Sequence, residues 1–273
     1  MQPRGSEAVG VCNRRWDIER EELVMRNQAK FLATIVCVLA AAACGGDGDG
    51  GSGGTAGTGG TAGTSGTGGS QMTSTVNGTV RTYFSLQDPV VVPGATVSVL
   101  GTNLSATTDQ NGAFTIDGVP NGEQFFTVEA PGHWGSVDYW DVPAETSQGF
   151  VLLVVTDADI QSAEVELGRT FNADDGIVEI FFDPAVTGAT GTINPANHDA
   201  PFTLDADGAL VVQDSVIEVD GVGELLFTSV PAGGTITADV SGPSGTTCSV
   251  IQSDPGTYPI RAKSITVVYA FCQ

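Results

Sequence analysis

Apolar and polar residues alternate with a period of two through most of the chain beyond residue 72. Thr96-Val97-Ser98-Val99, Ala113-Phe114-Thr115-Ile116, Phe126-Thr127-Val128-Glu129 and Val178-Glu179-Ile180-Phe181 all follow it. Clusters of Gly, Asn, Asp and Pro separate these runs at short spacing. This is the signature of short antiparallel strands with one buried face, and long helical periodicity is absent. One stretch departs from it. Thr156 as N-cap, Asp157 and Asp159 in the first turn, Ile160, Ala163 and Leu167 at helical spacing, and Gly168 as terminator predict one short helix. It divides two all-β blocks, 73–155 and 169–273, with residues 156–168 as connector.

The blocks share landmarks. Gly94-Ala95-Thr96 matches Gly188-Ala189-Thr190, and Thr108-Asp109-Gln110-Asn111-Gly112-Ala113-Phe114 matches Leu204-Asp205-Ala206-Asp207-Gly208-Ala209-Leu210. Val119-Pro120-Asn121-Gly122 matches Val230-Pro231-Ala232-Gly233. The offsets are 94, 96 and 111 residues, which places an insertion of about 15 residues after the hairpin turn of the second block. Asn111-Gly112 and Asp207-Gly208 are dipeptides that tolerate positive φ in tight hairpins.

At these residues the chain resembles the carboxypeptidase regulatory-like, or transthyretin-like, β-sandwich family. The resemblance rests on Gly78-Thr79-Val80, Pro93 to Val99, Thr108 to Phe114, Val119 to Gly122 and Ala130-Pro131-Gly132. It covers the first block well and the second weakly. It implies an all-β fold of two tandem antiparallel sandwiches, and an accessory or spacer module appended to envelope proteins and enzymes. These motifs are turn and core positions, so no catalytic residue transfers.

The N-terminal region reads differently. A basic run from Met25 to Lys30 precedes an uncharged apolar run, Phe31 to Ala43, that ends in four alanines before Cys44. A basic segment, a short apolar segment and small residues at a cleavage point are what a secretory signal requires. Thirteen helical residues span about 20 Å, too short to cross a bilayer core. Residues 1–24 place Asp17, Glu19, Glu21 and Glu22 ahead of this signal and are read as an upstream extension, with Met25 as the start. Ala41-Ala42-Ala43-Cys44 resembles a bacterial lipobox, although Ala41 stands where that pattern prefers a larger aliphatic residue. Cys44 is then the lipidation site, and ordinary cleavage near Ala43 is the alternative. With Cys12 upstream and Cys37 inside the signal, Cys248 and Cys272 are left as a disulfide pair in an exported chain. Between Cys44 and residue 72, glycine occupies 14 of the 26 positions from Gly45 to Ser70, and GGTAGT occurs twice. Such a segment has no apolar surface to offset ordering entropy and is expected to be a tether spanning roughly 25–30 Å.

Charge bounds the partners. Of 10 basic and 32 acidic side chains, six and five lie within residues 1–43. The remainder holds Arg81, Arg169, Arg261 and Lys263 against 27 acids, a net of −23. A nucleic-acid partner needs a stripe of Lys and Arg, and none exists. The expected partners are the membrane, through the N-terminal lipid, and an envelope protein or polysaccharide. The expected location is the bacterial cell envelope at the outer membrane.

Candidate chemistry is sparse. His133 and His198 each stand alone in loop-like contexts, and neither a HExxH zinc spacing nor a GxSxG elbow occurs. No catalytic residue, cofactor or metal is therefore assigned, and the chain reads as a non-enzymatic binding or scaffolding module. Asp157-x-Asp159, Asn172-x-Asp174-Asp175-Gly176 and Asp205-x-Asp207-Gly208 cluster oxygens as a calcium ion wants, yet each is also accounted for by turns or caps. Trp134, Tyr139 and Trp140 beside Asp141 suggest the alternative function, a carbohydrate-recognition module with or without calcium. A sandwich core also needs large residues, and Val137, Tyr139 and Trp140 can supply them. An intramolecular Lys–Asn isopeptide bond has only Lys263 as donor in the second block and none in the first.

Overall fold

The computed structural model describes residues 72–83, 89–144, 147–204, 210–212, 215–251 and 256–273. The signal, Cys44, the tether, Asp205 and Asp207 lie outside these residues. Alternation becomes strand as expected in the first block: β1 (Thr73–Tyr83), β2 (Thr96–Val99), β3 (Ser105–Thr107), β4 (Ala113–Pro120), β5 (Gly122–Glu129), β6 (His133–Val142) and β7 (Ser147–Thr156). One face of each strand supplies a core that includes Val76, Val80, Val97, Val99, Phe114, Ile116, Phe126, Val128, Phe150 and Leu152. The turn into β4 is set by Asp109, whose Oδ1 accepts from the N–H groups of Asn111 at 2.8 Å and Ala113 at 2.9 Å. Gly112 is required there twice over: its φ is +71°, and a Cβ would lie 2.8 Å from the Val80 carbonyl oxygen.

The helix α1 (Asp157–Leu167) has the expected caps. Thr156 Oγ1 accepts from the Asp159 N–H at 3.0 Å, and Gly168 closes the helix in the left-handed region. Beyond it run β8 (Asp175–Ala185), β9 (Thr190–Asn194), β10 (Phe202–Leu204), β11 (Leu210–Val212), β12 (Gly221–Pro231), β13 (Thr235–Ser241), β14 (Cys248–Val250), β15 (Tyr258–Pro259) and β16 (Ser264–Cys272). The fold is all-β with one described helix.

Strand pairing repeats. β1 pairs antiparallel with β4 and parallel with β7, while β2 pairs antiparallel with β5. Likewise β8 pairs antiparallel with β12 and parallel with β16, while β9 pairs antiparallel with β13. The registers coincide position by position. Gly78↔Phe114, Val76↔Ile116 and Thr73↔Pro120 recur as Ile180↔Leu225, Val178↔Phe227 and Asp175↔Pro231. Even the bulge recurs, with Gly118 at φ 75° and its counterpart Ser229 at φ 57°.

This register corrects the sequence alignment of the blocks. Phe114 corresponds to Leu225, not to Leu210, which lies in β11. The role of Thr108 belongs to Ile217: Gly94 N–H donates to the Thr108 carbonyl and Thr108 N–H to that of Ala95, and Gly188, Ile217 and Ala189 repeat this. The insertion therefore precedes the hairpin turn, and β10 and β11 are the inserted strands. Sequence matching failed because Leu204-Asp205 and Thr108-Asp109 look alike, while the Ile217-Glu218 equivalent does not.

A second correction concerns buried faces. β8 is buried on both sides, not one. Val178, Ile180 and Phe182 enter the C-terminal core with Leu225, Phe227, Ile236, Tyr258 and Val268. On the opposite face Ile177 joins a third cluster with Trp134, Val155, Ile160, Phe171, Phe202, Leu226 and Ile265. Glu179, a polar position of the alternating run, is only 4% exposed. β6 and β16 run parallel at Gly135↔Ser264 through Val137↔Thr266, so sheet hydrogen bonding crosses from one block to the other. Residues Gln71–Gln273 accordingly form one unit. A disulfide joins Cys248 and Cys272, which face each other across β14 and β16.

Candidate functional site

The three aromatics proposed as a sugar platform go to different places. Trp134 is buried in the cluster between the blocks. Trp140 packs on the first core, its ring 4.3 Å from that of Phe150. Tyr139 lies against Phe125, which in turn meets Tyr258 of the other block edge-on. Burial, followed by the hydrogen bond and charge of Glu123, pushes the Tyr139 hydroxyl up from its ordinary range. Because side chains alternate along β6, Tyr139 and Trp140 point to opposite faces of the sheet. The structure brings none of the three together.

The histidines serve local structure. His133 Nδ1 lies 2.8 Å from the Pro131 carbonyl, and His198 Nδ1 lies 2.7 Å from that of Asp199. The acids are likewise engaged. Asn172 Oδ1 accepts from the Asp174 N–H, and Asn172 Nδ2 donates to Asp175. Asp159 accepts from the Thr156 hydroxyl at 2.6 Å beside the N-cap of α1, and Asp157 forms a half-exposed ion pair with Lys263 at 3.0 Å. Among the described residues no group of three or more His, Cys, Asp or Glu is placed to hold a metal ion.

What sequence reading missed is a buried acid–hydroxyl cluster between the blocks. Tyr83 of β1 reaches across to the C-terminal block, where its hydroxyl donates to Glu224 of β12 and lies 3.4 Å from Glu179 Oε1 of β8. Tyr269 of β16 donates to Asp138 of β6 at 2.8 Å, with Asp138 only 1% exposed. Burial pushes the Glu224 carboxyl up to about 7, while the Tyr83 hydrogen bond works against that rise. Burial first, then the charges of Glu179 and Glu224, hold the Tyr83 hydroxyl well above its usual range, so it stays a donor. The cluster links the two blocks through buried side chains. The sequence signal was an acid at an alternating strand position, which is ordinarily a solvated one.

Residues 75–153 match the carboxypeptidase regulatory-like domain family. The matched stretch begins in β1 and ends in β7, so this regulatory-like domain is the first block with all of its strands. The comparison with curated proteins gives no match. Among solved structures, a type II cohesin–X-dockerin complex from Acetivibrio cellulolyticus is 28% identical over 30% of this chain, at a TM-score of 0.26. The chain spans 58% of that protein's length. The Bacillus anthracis TIE protein is 18% identical over 73% of this chain and 34% of its own, at a TM-score of 0.26. The shaft pilin SpaA from Lactobacillus rhamnosus GG is 12% identical over 74% of this chain and 98% of its own, at a TM-score of 0.24. Scores this low carry no functional argument. Among the described residues no helix is long and apolar enough to cross a membrane.

Proposed function

We propose that the protein is a non-catalytic lipoprotein of the bacterial cell envelope, a binding or scaffolding module held off the outer membrane by a flexible tether. In this reading Cys44 carries the lipid, residues 44–72 form the tether, and 73–155 and 169–273 are two copies of the regulatory-like sandwich. The observation that carries it is where the reactive side chains go. His133, His198, Asp157, Asp159 and Asp174 are engaged in turns, caps and an ion pair, while Trp134 and Trp140 pack in cores. A chain built this way offers surface, not a reaction centre, and its two blocks belong to one compact unit.

The test is metabolic labelling with a fatty acid, followed by detergent partitioning of wild type and Cys44→Ser. The lipoprotein reading expects label and membrane retention in the wild type and release of the serine variant. Equal retention of both would sink it. Crosslinking on intact cells then identifies the bound envelope component.

A further inference from the structure

Among the described residues, one strand position of the repeat is filled in the C-terminal block only. In the C-terminal block, β12 is covered on its outer side by β10, with Phe202 opposite Leu226 and Thr203 opposite Leu225. Just before β10, the Asp199 N–H donates to the Thr228 carbonyl at 3.0 Å. The shared register makes Thr115 the counterpart of Leu226 and Asp117 that of Thr228. Among the described residues β4 pairs only with β1, so nothing takes the position of β10 beside it.

The direction of the free groups follows from strand geometry. The N–H and C=O of one residue point to the same side of a strand, and the side alternates. Val80 of β1 donates to the Gly112 carbonyl, so Gly112, Phe114 and Ile116 turn their backbone toward β1. Ala113, Thr115 and Asp117 turn theirs away. Ala113 is satisfied by Asp109, through its N–H to Asp109 Oδ1 and its carbonyl from the Asp109 N–H. Thr115 and Asp117 are exposed and have no such neighbour among the described residues. Edge strands are ordinarily blunted by Lys, Pro, shortness or a bulge. β4 has eight residues, its bulge at Gly118 lies toward the far end, and its proline is the last residue.

We propose that the outer edge of β4 is a strand-acceptor site, taking an extended Lys- or Arg-bearing segment of a partner protein where β10 sits in the other block. Backbone pairing would supply the affinity and the flanking side chains the selectivity. The inner neighbours Phe114 and Ile116 are buried in the core, so the segment places apolar residues at alternate positions toward them. On the outer face Thr115 and Asp117 are tied to Asn77 and Thr75, and Asp117 and Asp109 are exposed acids. Basic residues suit that side. A second copy of the chain fits poorly, because each carries a formal net charge of −22.

The proposal rests on the binding-module reading, but its test uses purified protein without membranes, so failure of lipidation and failure of this site are separate results. The probe is a lysine-flanked synthetic peptide built on the Phe202–Leu204 sequence, with a backbone N-methylated version as control. Saturable binding that weakens with salt and shifts the amide resonances of Thr115 and Asp117 is expected. Thr115→Pro removes an outward N–H that no strand in the described fold uses, and should lower affinity about tenfold or more. Asp117→Lys should lower it as well, and serves if the proline variant does not fold. No binding, shifts mapping away from β4, equal binding of the N-methylated peptide, or unchanged affinity in both variants would overturn the site. Self-association abolished by Thr115→Pro would overturn the partner assignment and make the occupant a second copy.

Discussion

Glu224 gives the sharpest test of the contact between blocks. The residue is 6% exposed, and its carboxyl accepts from the Tyr83 hydroxyl and has one oxygen without a partner among the described residues. The groups facing this pocket are Tyr83 of β1, Glu179 of β8 and Tyr269 of β16, the last bonded to Asp138 of β6. None of these is a cation. Burial raises the Glu224 pKa from 4.5 unfolded to about 7 folded. Between those values the folded protein binds more protons than the unfolded chain, so stability falls as pH rises. The contribution is fully present below 4.5 and lost as pH passes through 7. A rise of this size corresponds to about 3 kcal/mol. Glu224→Gln keeps shape and a carbonyl acceptor for Tyr83 but removes the ionisation. Urea unfolding of both proteins from pH 5 to pH 8 should show the wild type losing about 2.5 kcal/mol more than the variant, with the variant more stable at pH 8. Parallel pH profiles would refute the reasoning, because they would mean Glu224 titrates alike in folded and unfolded chains.

Two further outcomes are expected. A Cβ at Gly135 would collide with the Val128 carbonyl, where β6 also meets β16, so Gly135→Ala should lower stability in thermal melts by about 1–3 kcal/mol. Reducing the Cys248–Cys272 disulfide, which closes a loop of sequence separation 24, should lower stability by about 3 kcal/mol in urea titrations, and Cys272→Ser should reproduce the loss without reductant.

The sequence by itself determined the local structure. Period-two alternation marked β2, β4 and β5, the Thr156 cap and Gly168 bounded α1, and the regulatory-like motifs located the first block, because each depends on neighbours in the chain. It also located the turn dipeptide before β4, since a residue such as Gly112 is demanded by φ and by the nearest backbone. What only the tertiary structure decided is which face of a strand is covered twice. An alternating Val-Glu-Ile pattern is the same for a strand with one solvated face and for β8, whose second face, Glu179 included, is covered by the other block. The fate of Trp134, Tyr139 and Trp140 was undetermined for a related reason: adjacent residues on β6 serve different layers, and only packing says which layers exist. The repeat register was obscured because sequence similarity followed a look-alike turn, whereas hydrogen bonding tied Ile217 to Ala189 as it tied Thr108 to Ala95. Likewise, an edge is not a property of β4 alone. It arises because β10 and β11 cover β12 in one copy and, among the described residues, have no counterpart in the other.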